Sequence, residues 1–175
     1  MKNLAGATPV NQIAYVVDDL DKGVEWWTTV MGVGPFLVLR DLAYDESDLH
    51  GKSMILGLHA AIAYQGDITI ELIQPKGPSI FEEYRQAGGK GMHHTCVFTD
   101  DFAATEADVV ARGGRRVQGG RIGGGEIGYY EMGGDQDVIL EIACLNAPSK
   151  AMFAALRDAA KSWDGKDPHF PIPGA

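Results

Sequence analysis

The sequence predicts an α+β fold built from two βαβββ modules, residues 1–78 and 79–147, followed by a helix and an extended tail over 148–175, all within one structural domain. Three observations lead there. Gln12-Ile13-Ala14-Tyr15-Val16-Val17-Asp18-Asp19-Leu20 repeats as His94-Thr95-Cys96-Val97-Phe98-Thr99-Asp100-Asp101-Phe102. Asp67-Ile68-Thr69-Ile70-Glu71-Leu72-Ile73 repeats as Asp137-Val138-Ile139-Leu140-Glu141-Ile142-Ala143. Between and after these segments, apolar spacing switches from strand-like to helical in the same order twice.

Residues 11–17 are β-branched and aromatic enough to form a strand. Asp18-Asp19 supplies a helix N-cap, and Leu20, Val24, Trp27 and Met31 form one helical stripe that ends at Gly32 and Gly34. Pro35 to Leu42 reads as a second strand. The polar run 43–54 reads as a long loop, Ile55 to Tyr64 as a third strand, and Asp67 to Gln74 as a fourth after a Gln65-Gly66 turn. Past the linker Pro75-Lys76-Gly77-Pro78-Ser79, Phe81 and Tyr84 suggest a short helix before Gly88-Gly89. The order then recurs. Met92 to Thr99 is a strand, and a helix follows from Asp101 to Arg112. Strands are expected over Arg116 to Gln118, Glu126 to Met132 and Asp137 to Cys144, with turns at Gly119-Gly120 and Gly123-Gly124-Gly125. Met152, Phe153, Leu156, Ala160 and Trp163 then mark a packing helix over 149–163. Pro168 to Pro173 is extended.

Gln12 precedes His94 by 82 residues but Glu71 precedes Glu141 by only 70. The first module therefore carries twelve extra residues, the size of the 43–54 segment. An insertion of that kind points to a wall of a substrate pocket.

Fifteen Lys and Arg against 24 Asp and Glu give a net charge of −9, which disfavours nucleic acid and anionic membranes as partners. The Arg112, Arg115, Arg116 and Arg121 cluster reads as a solvated surface. No apolar run is long enough to span a bilayer, and the N-terminus lacks a signal-peptide core, so a cytoplasmic location is expected. Cys96 and Cys144 fall on opposite faces by strand parity and are not expected to pair. The glycine runs match neither a phosphate loop nor a dinucleotide fingerprint.

Gln12, Glu71, His94 and Glu141 stand at repeated positions in otherwise apolar strands. A carboxylate on a central strand is costly unless paired or coordinated, and here two occur at equivalent places. Together the four residues offer one nitrogen and three oxygen donors to a divalent cation. His93 aligns with Asn11 and is expected on the opposite face as a structural or solvent-facing histidine. His50, in the long loop, and His169, in the tail, are expected at the surface. One of Tyr129 and Tyr130 should face the cleft and the other the core.

The segment 12–20, Glu71-Leu72-Ile73-Gln74-Pro75 and Gly91-Met92-His93-His94-Thr95-Cys96-Val97-Phe98 together resemble the vicinal oxygen chelate superfamily, which includes glyoxalases, epimerases, extradiol dioxygenases and bleomycin resistance proteins. The resemblance covers roughly residues 9–145. It implies paired βαβββ modules whose sheets curve around a metal-binding cleft, with Gln12, Glu71, His94 and Glu141 as ligands. The expected cofactor is one divalent ion: zinc, nickel, cobalt, manganese or iron. The implied activity is that of an isomerase or lyase. Two neighbouring oxygens of a small substrate are chelated, and an enolate or enediolate is stabilised while a proton moves at the carbon α to a carbonyl. By the same resemblance Glu141 is the base and the protein is a homodimer. Glu71, Glu126, Glu131 and Tyr130 are candidates for a second acid or base. Gln12 in place of histidine, together with a second acid, disfavours the two-histidine iron site of a dioxygenase. The Asp-Pro-x-Gly turn common in glyoxalases is absent before Glu141, and the surroundings look closer to epimerase-like members. Alternatives from other classes are a metal-free drug-binding protein and an extradiol-type dioxygenase.

Overall fold

The computed structural model describes residues 3–133 and 138–171. Segment 134–137, including the expected first residue of the last strand, lies outside them, as does the end of the tail. Among the described residues ten strands form one sheet. In the first module β1 (Gln12–Val16), α1 (Leu20–Met31), β2 (Leu37–Ala43), β5 (Gly57–Gln65) and β6 (Ile68–Pro75) make the predicted pattern. The second module repeats it with β7 (Met92–Phe98), α3 (Phe102–Ala111), β8 (Arg115–Ile122), β9 (Gly125–Glu131) and β10 (Ile139–Cys144). A short helix α2 (Ile80–Gln86) joins the two modules, and α4 (Ala147–Ser162) follows β10.

Spatial order along the sheet is β2-β5-β6-β1-β7-β10-β9-β8, so each module places its first strand beside its last, in parallel. The modules meet where β1 and β7 pair antiparallel. Local chemistry explains the helix limits. Asp19 accepts a hydrogen bond from the Lys22 amide at the start of α1, and Gly32 ends it in the left-handed region at φ 65°. Asp101 does the same at α3 through Ala104. Leu20, Val24 and Trp27 pack on Ile70, Leu72, Tyr15 and Val17. Met31, expected in that stripe, is instead exposed. Phe102 and Val109 of α3 pack on Val97, Tyr130 and Ile142. Odd positions of β1 thus face the helices, while Ala14 and Val16 face the concave side with Ile73 and Tyr129.

Two expectations are corrected. Segment 43–54 is not a loop: it forms the hairpin β3 (Glu46–Leu49) and β4 (Lys52–Met54), and β3 pairs with β8 of the second module. His50 and Gly51, both at positive φ, make its two-residue turn. Gly119-Gly120 is not a turn either, because β8 runs through it. Here glycine serves close approach: a β-carbon on Gly120 would overlap the Glu46 carbonyl oxygen, and one on Gly119 would overlap the Arg116 guanidinium. Gly120→Ala is therefore expected to separate β3 from β8 and to cost about 1–3 kcal/mol. The check is hydrogen exchange at Ser47 and its neighbours, which should lose protection while β1 and β6 keep theirs.

The helix α4 covers part of the first module. Leu156, Met152, Phe153 and Ala160 pack on Leu37, Ile62, Tyr64 and Leu39 of β2 and β5. The chain continues past it, and Phe36 pairs with His169 in an isolated bridge. Among the described residues no helix is long and apolar enough to cross a membrane.

Candidate active site

Register across the four central strands creates two adjacent rows on the concave face. One row is Glu71, Ala14, His94 and Ile139; the other is Thr69, Gln12, Cys96 and Glu141. Strands about 4.8 Å apart bring these side chains within reach of one another. Ala14 and Cys96 are the small members of the rows, and both are fully buried. They leave room for the longer polar side chains to converge.

Ligand atoms of Glu71, His94 and Glu141 lie within 4.8 Å of one another. His94 Nε2 is 2.9 Å from Glu141 Oε2 and 3.4 Å from Glu71 Oε2. Yet this buried nitrogen makes no hydrogen bond of acceptable geometry. An imidazole nitrogen and two carboxylates converging on a shared point suit coordination of a cation once the ring gives up its proton. Burial tends to push the His94 pKa down. The close, negatively charged carboxylates of Glu141 and Glu71 outweigh it and raise the value to about 9. Burial, with repulsion from Glu141, pushes Glu71 up despite the opposing contact with His94.

Gln12 turns its amide nitrogen inward, donating to Glu71 Oε2 at 2.7 Å and to Glu141 Oε2 at 3.5 Å. Its oxygen accepts from Thr69 Oγ1 at 3.0 Å. The Thr69 hydroxyl also reaches the Asn11 carbonyl at 3.1 Å. A hydroxyl both donates and accepts, so Thr69 can hold the amide with either its oxygen or its nitrogen facing the cluster. The donor set thus fits a divalent ion held by Glu71, His94 and Glu141, with the Gln12 oxygen available as a fourth donor.

His93 is not on the opposite face. Ala14 pairs with His94 but Tyr15 pairs with Met92, leaving His93 as the extra residue of a β-bulge. The bulge re-aims its ring. It packs 5.2 Å from Phe81 and 4.9 Å from Tyr84, with its Nδ1 3.0 Å from His94 Nδ1. Burial, reinforced by His94, lowers the His93 pKa to about 3, so the ring stays neutral. It can then accept the His94 Nδ1 proton and leave Nε2 of His94 free for the cluster.

Tyr129 faces the cleft and Tyr130 does not. Tyr129 Oη donates to Glu141 Oε1 at 3.3 Å. Tyr130 packs against Phe102 and Ile142 and hydrogen-bonds Glu106. Glu131 pairs with Arg115, and Glu126 lies in a surface groove beside Arg121. Of the candidates for a second acid or base, only Glu71 stands in the cluster. Tyr44 is a member that sequence reasoning missed. It is buried in the segment read as a loop, with its hydroxyl 3.4 Å from that of Tyr129. Burial pushes both phenols well above their usual pKa, so each remains a neutral donor. The signal available was an aromatic residue inside an otherwise polar run. His50 binds Glu83 at the surface, 3.0 Å away, and His169 pairs with Asp167.

The cluster opens into a cavity of about 240 Å³. Leu39 and Leu42 of β2, Leu58 of β5, Ile127 of β9, and Leu145 and Phe153 at α4 supply much of its wall.

Comparison with known proteins agrees with this architecture. The family described as the Glyoxalase/Bleomycin resistance protein/Dioxygenase superfamily matches residues 11–130. A 2-epi-5-epi-valiolone epimerase from Actinomyces sp is 28% identical over 126 residues, covering 67% of this chain and 66% of that protein. The aligned part thus falls just short of two thirds of the relative. Methylmalonyl-CoA epimerase from Mycobacterium tuberculosis superposes with a TM-score of 0.62 at 17% identity, covering 86% of this chain and 97% of that one. A Streptomyces coelicolor methylmalonyl-CoA epimerase variant in complex with 2-nitronate-propionyl-CoA gives 0.57 at 20% identity, over 81% and 96%. These structures share the fold: curved α+β sheets from paired modules. Glu141 lies beyond the matched family span, and strand pairing places it.

Proposed function

Because the chain belongs to the glyoxalase/bleomycin resistance protein/dioxygenase superfamily, we propose that it is a metal-dependent isomerase of epimerase-like type, moving a proton at a carbon α to a carbonyl in a small oxygenated substrate. The observation that carries this reading is the convergence of Glu71, His94 and Glu141 around an unsatisfied His94 nitrogen at the base of a cavity. The epimerase names of the relatives support the reaction class.

A divalent ion bound there would act as a Lewis acid toward two neighbouring substrate oxygens and stabilise the enolate charge. The protein's own groups do the rest. Glu141 takes the α-proton, and Tyr129 orients its carboxylate by donating to Oε1. Glu71, from the matching strand of the other module, can return a proton on the second face, as inversion requires. Tyr44 and Tyr129 present neutral hydroxyls toward developing negative charge. The apolar wall excludes water from the intermediate. One histidine in the cluster, with His93 turned to Phe81 and Tyr84, favours this reading over a two-histidine iron oxygenase.

Zinc titration of the stripped protein tests the metal half of the reading. One ion should bind per chain. A ligand imidazole must be neutral, and His94 holds its proton up to about pH 9. Apparent affinity should therefore rise about tenfold per pH unit up to about pH 9, with proton release seen by calorimetry in two buffers of different ionisation enthalpy. Failure of the protein to take up zinc, nickel, cobalt, manganese or iron would sink the proposal. The loaded protein should also incorporate solvent deuterium at the substrate α-carbon, and the stripped protein should not.

A further inference from the structure

The cavity beyond the cluster has a composition that selects among oxygenated substrates. Its polar side chains gather at one end: Gln12, Glu71, Glu141, the Tyr129 phenol on Glu141 and the Tyr44 phenol on Tyr129. The rest of the wall is leucine, isoleucine and phenylalanine with Gly123 and Ala143, and its one further polar side chain is Ser149 at the start of α4. Among the described residues that line it, none is lysine or arginine. The cations nearest in sequence to the wall are engaged elsewhere: Arg40 with Asp21, Lys76 with Asp41, Arg121 with Glu46 and Lys150 with Asp100.

Charge then limits what can enter. A divalent ion is balanced by Glu71 and Glu141, and the enolate of a bound substrate adds one negative charge. A further carboxylate or phosphate on the substrate body would be desolvated with no counter-charge, which costs several kcal/mol. A polyhydroxylated body would leave hydroxyls facing leucine side chains without partners.

Size limits it too. At about 240 Å³ the cavity is smaller than a site for a drug-sized ligand. Two parts of the chain that do not repeat border it. Leu42 enters from the end of β2 and Tyr44 from the turn into the β3–β4 hairpin. Ser149 and Phe153 enter from α4, where Phe153 stands edge-on to Phe98 with centroids 5.6 Å apart.

We infer that the part of the substrate that enters the cavity is small and neutral, with an aliphatic or single-ring body and one vicinal oxygen pair, an α-hydroxyketone in chemical class, rather than a dicarboxylate or a polyol. This rests on the metal-dependent reading above. The reaction is a proton transfer alone: the C–H bond at the hydroxyl-bearing carbon breaks, its electron pair enters the enolate, and the same carbon is reprotonated with no net redox change.

The test uses the zinc-loaded full chain and two probes with the same chelating head, benzohydroxamate and malonomonohydroxamate, compared by competition calorimetry. Benzohydroxamate should bind at least tenfold more tightly. Leu39→Arg places a cation on the wall from the half-buried edge strand β2, and should narrow or reverse that preference while zinc affinity stays within twofold. Equal or tighter binding of malonomonohydroxamate to the unsubstituted protein overturns the substrate class, whatever the variant does. Absence of zinc binding overturns the metal reading beneath it, and the two failures are told apart because zinc uptake is measured first.

Discussion

Glu141→Gln is expected to reduce solvent deuterium incorporation at the substrate α-carbon by about 10²–10⁴-fold, the range over which a positioned general base contributes. The amide keeps the size of the side chain and can still accept from Tyr129, so the β9–β10 pairing and the packing of Ile142 should persist. It cannot take a proton. Glu141 is also a candidate ligand, so the comparison belongs at zinc concentrations that saturate both proteins, with metal content measured alongside. Exchange at the wild-type rate under those conditions would assign the base to another group, with Glu71 the next candidate.

His94→Ala should be the most destabilising change in the cluster. His94 is fully buried and is the cation that faces Glu71 and Glu141. Its removal leaves the buried Glu141 and the half-buried Glu71 carboxylates with the Gln12 amide between them. Breaking a buried ionic group on one side costs about 3–5 kcal/mol, which a urea melt of metal-free protein would register. The effect has a definite sign with pH. Glu71 already holds its proton above the usual 4.5, and without His94 it should hold it more tightly. An acid protonated in the fold but ionised in the unfolded chain favours unfolding increasingly as pH climbs past 4.5. The deficit should therefore be small near pH 4 and grow toward neutrality. Adding Glu141→Gln to His94→Ala should restore part of the loss by removing one of the two charges. A double variant no more stable than the single would show that the penalty comes from the lost imidazole packing against Phe81 and Tyr129 instead.

Much of this cluster was legible because period and repetition are local. The strand alternation that separates Tyr15 from Ala14 also assigns Glu71 and Glu141 to the concave face, and equivalence of the modules pairs Gln12 with His94. What was not legible depends on partners far along the chain. His93 turned inward because one residue too many lies between Met92 and His94 for the register of β1, and nothing near position 93 encodes that. Segment 43–54 is polar because its hairpin lies at the sheet margin, where one face and one edge meet water. Its His50-Gly51 turn was the signal, and polarity hid it. Gly119-Gly120 looked like a turn because glycine permits turns. For Gly120 the reason is the backbone of Glu46, which no local window contains. The same holds for Phe153, whose helical spacing announced a packing helix but not that one of its residues would line the cavity.

The placement of that hairpin has a consequence for the order in which the molecule can be assembled. Ser47 pairs with Gly120 and Asp48 with Gly119, so an early piece of chain is finished by a late one. During synthesis the first module can close β1, β6, β5 and β2 while β3 and β4 have nothing to lie against. They acquire an edge only after β8 has emerged and joined β9. Such distant pairing is entropically expensive to reach and slow to form. The two halves, alike enough to seem separable, are tied by a strap from the first onto the second. The cavity wall that depends on Tyr44 therefore comes into being only when both are present.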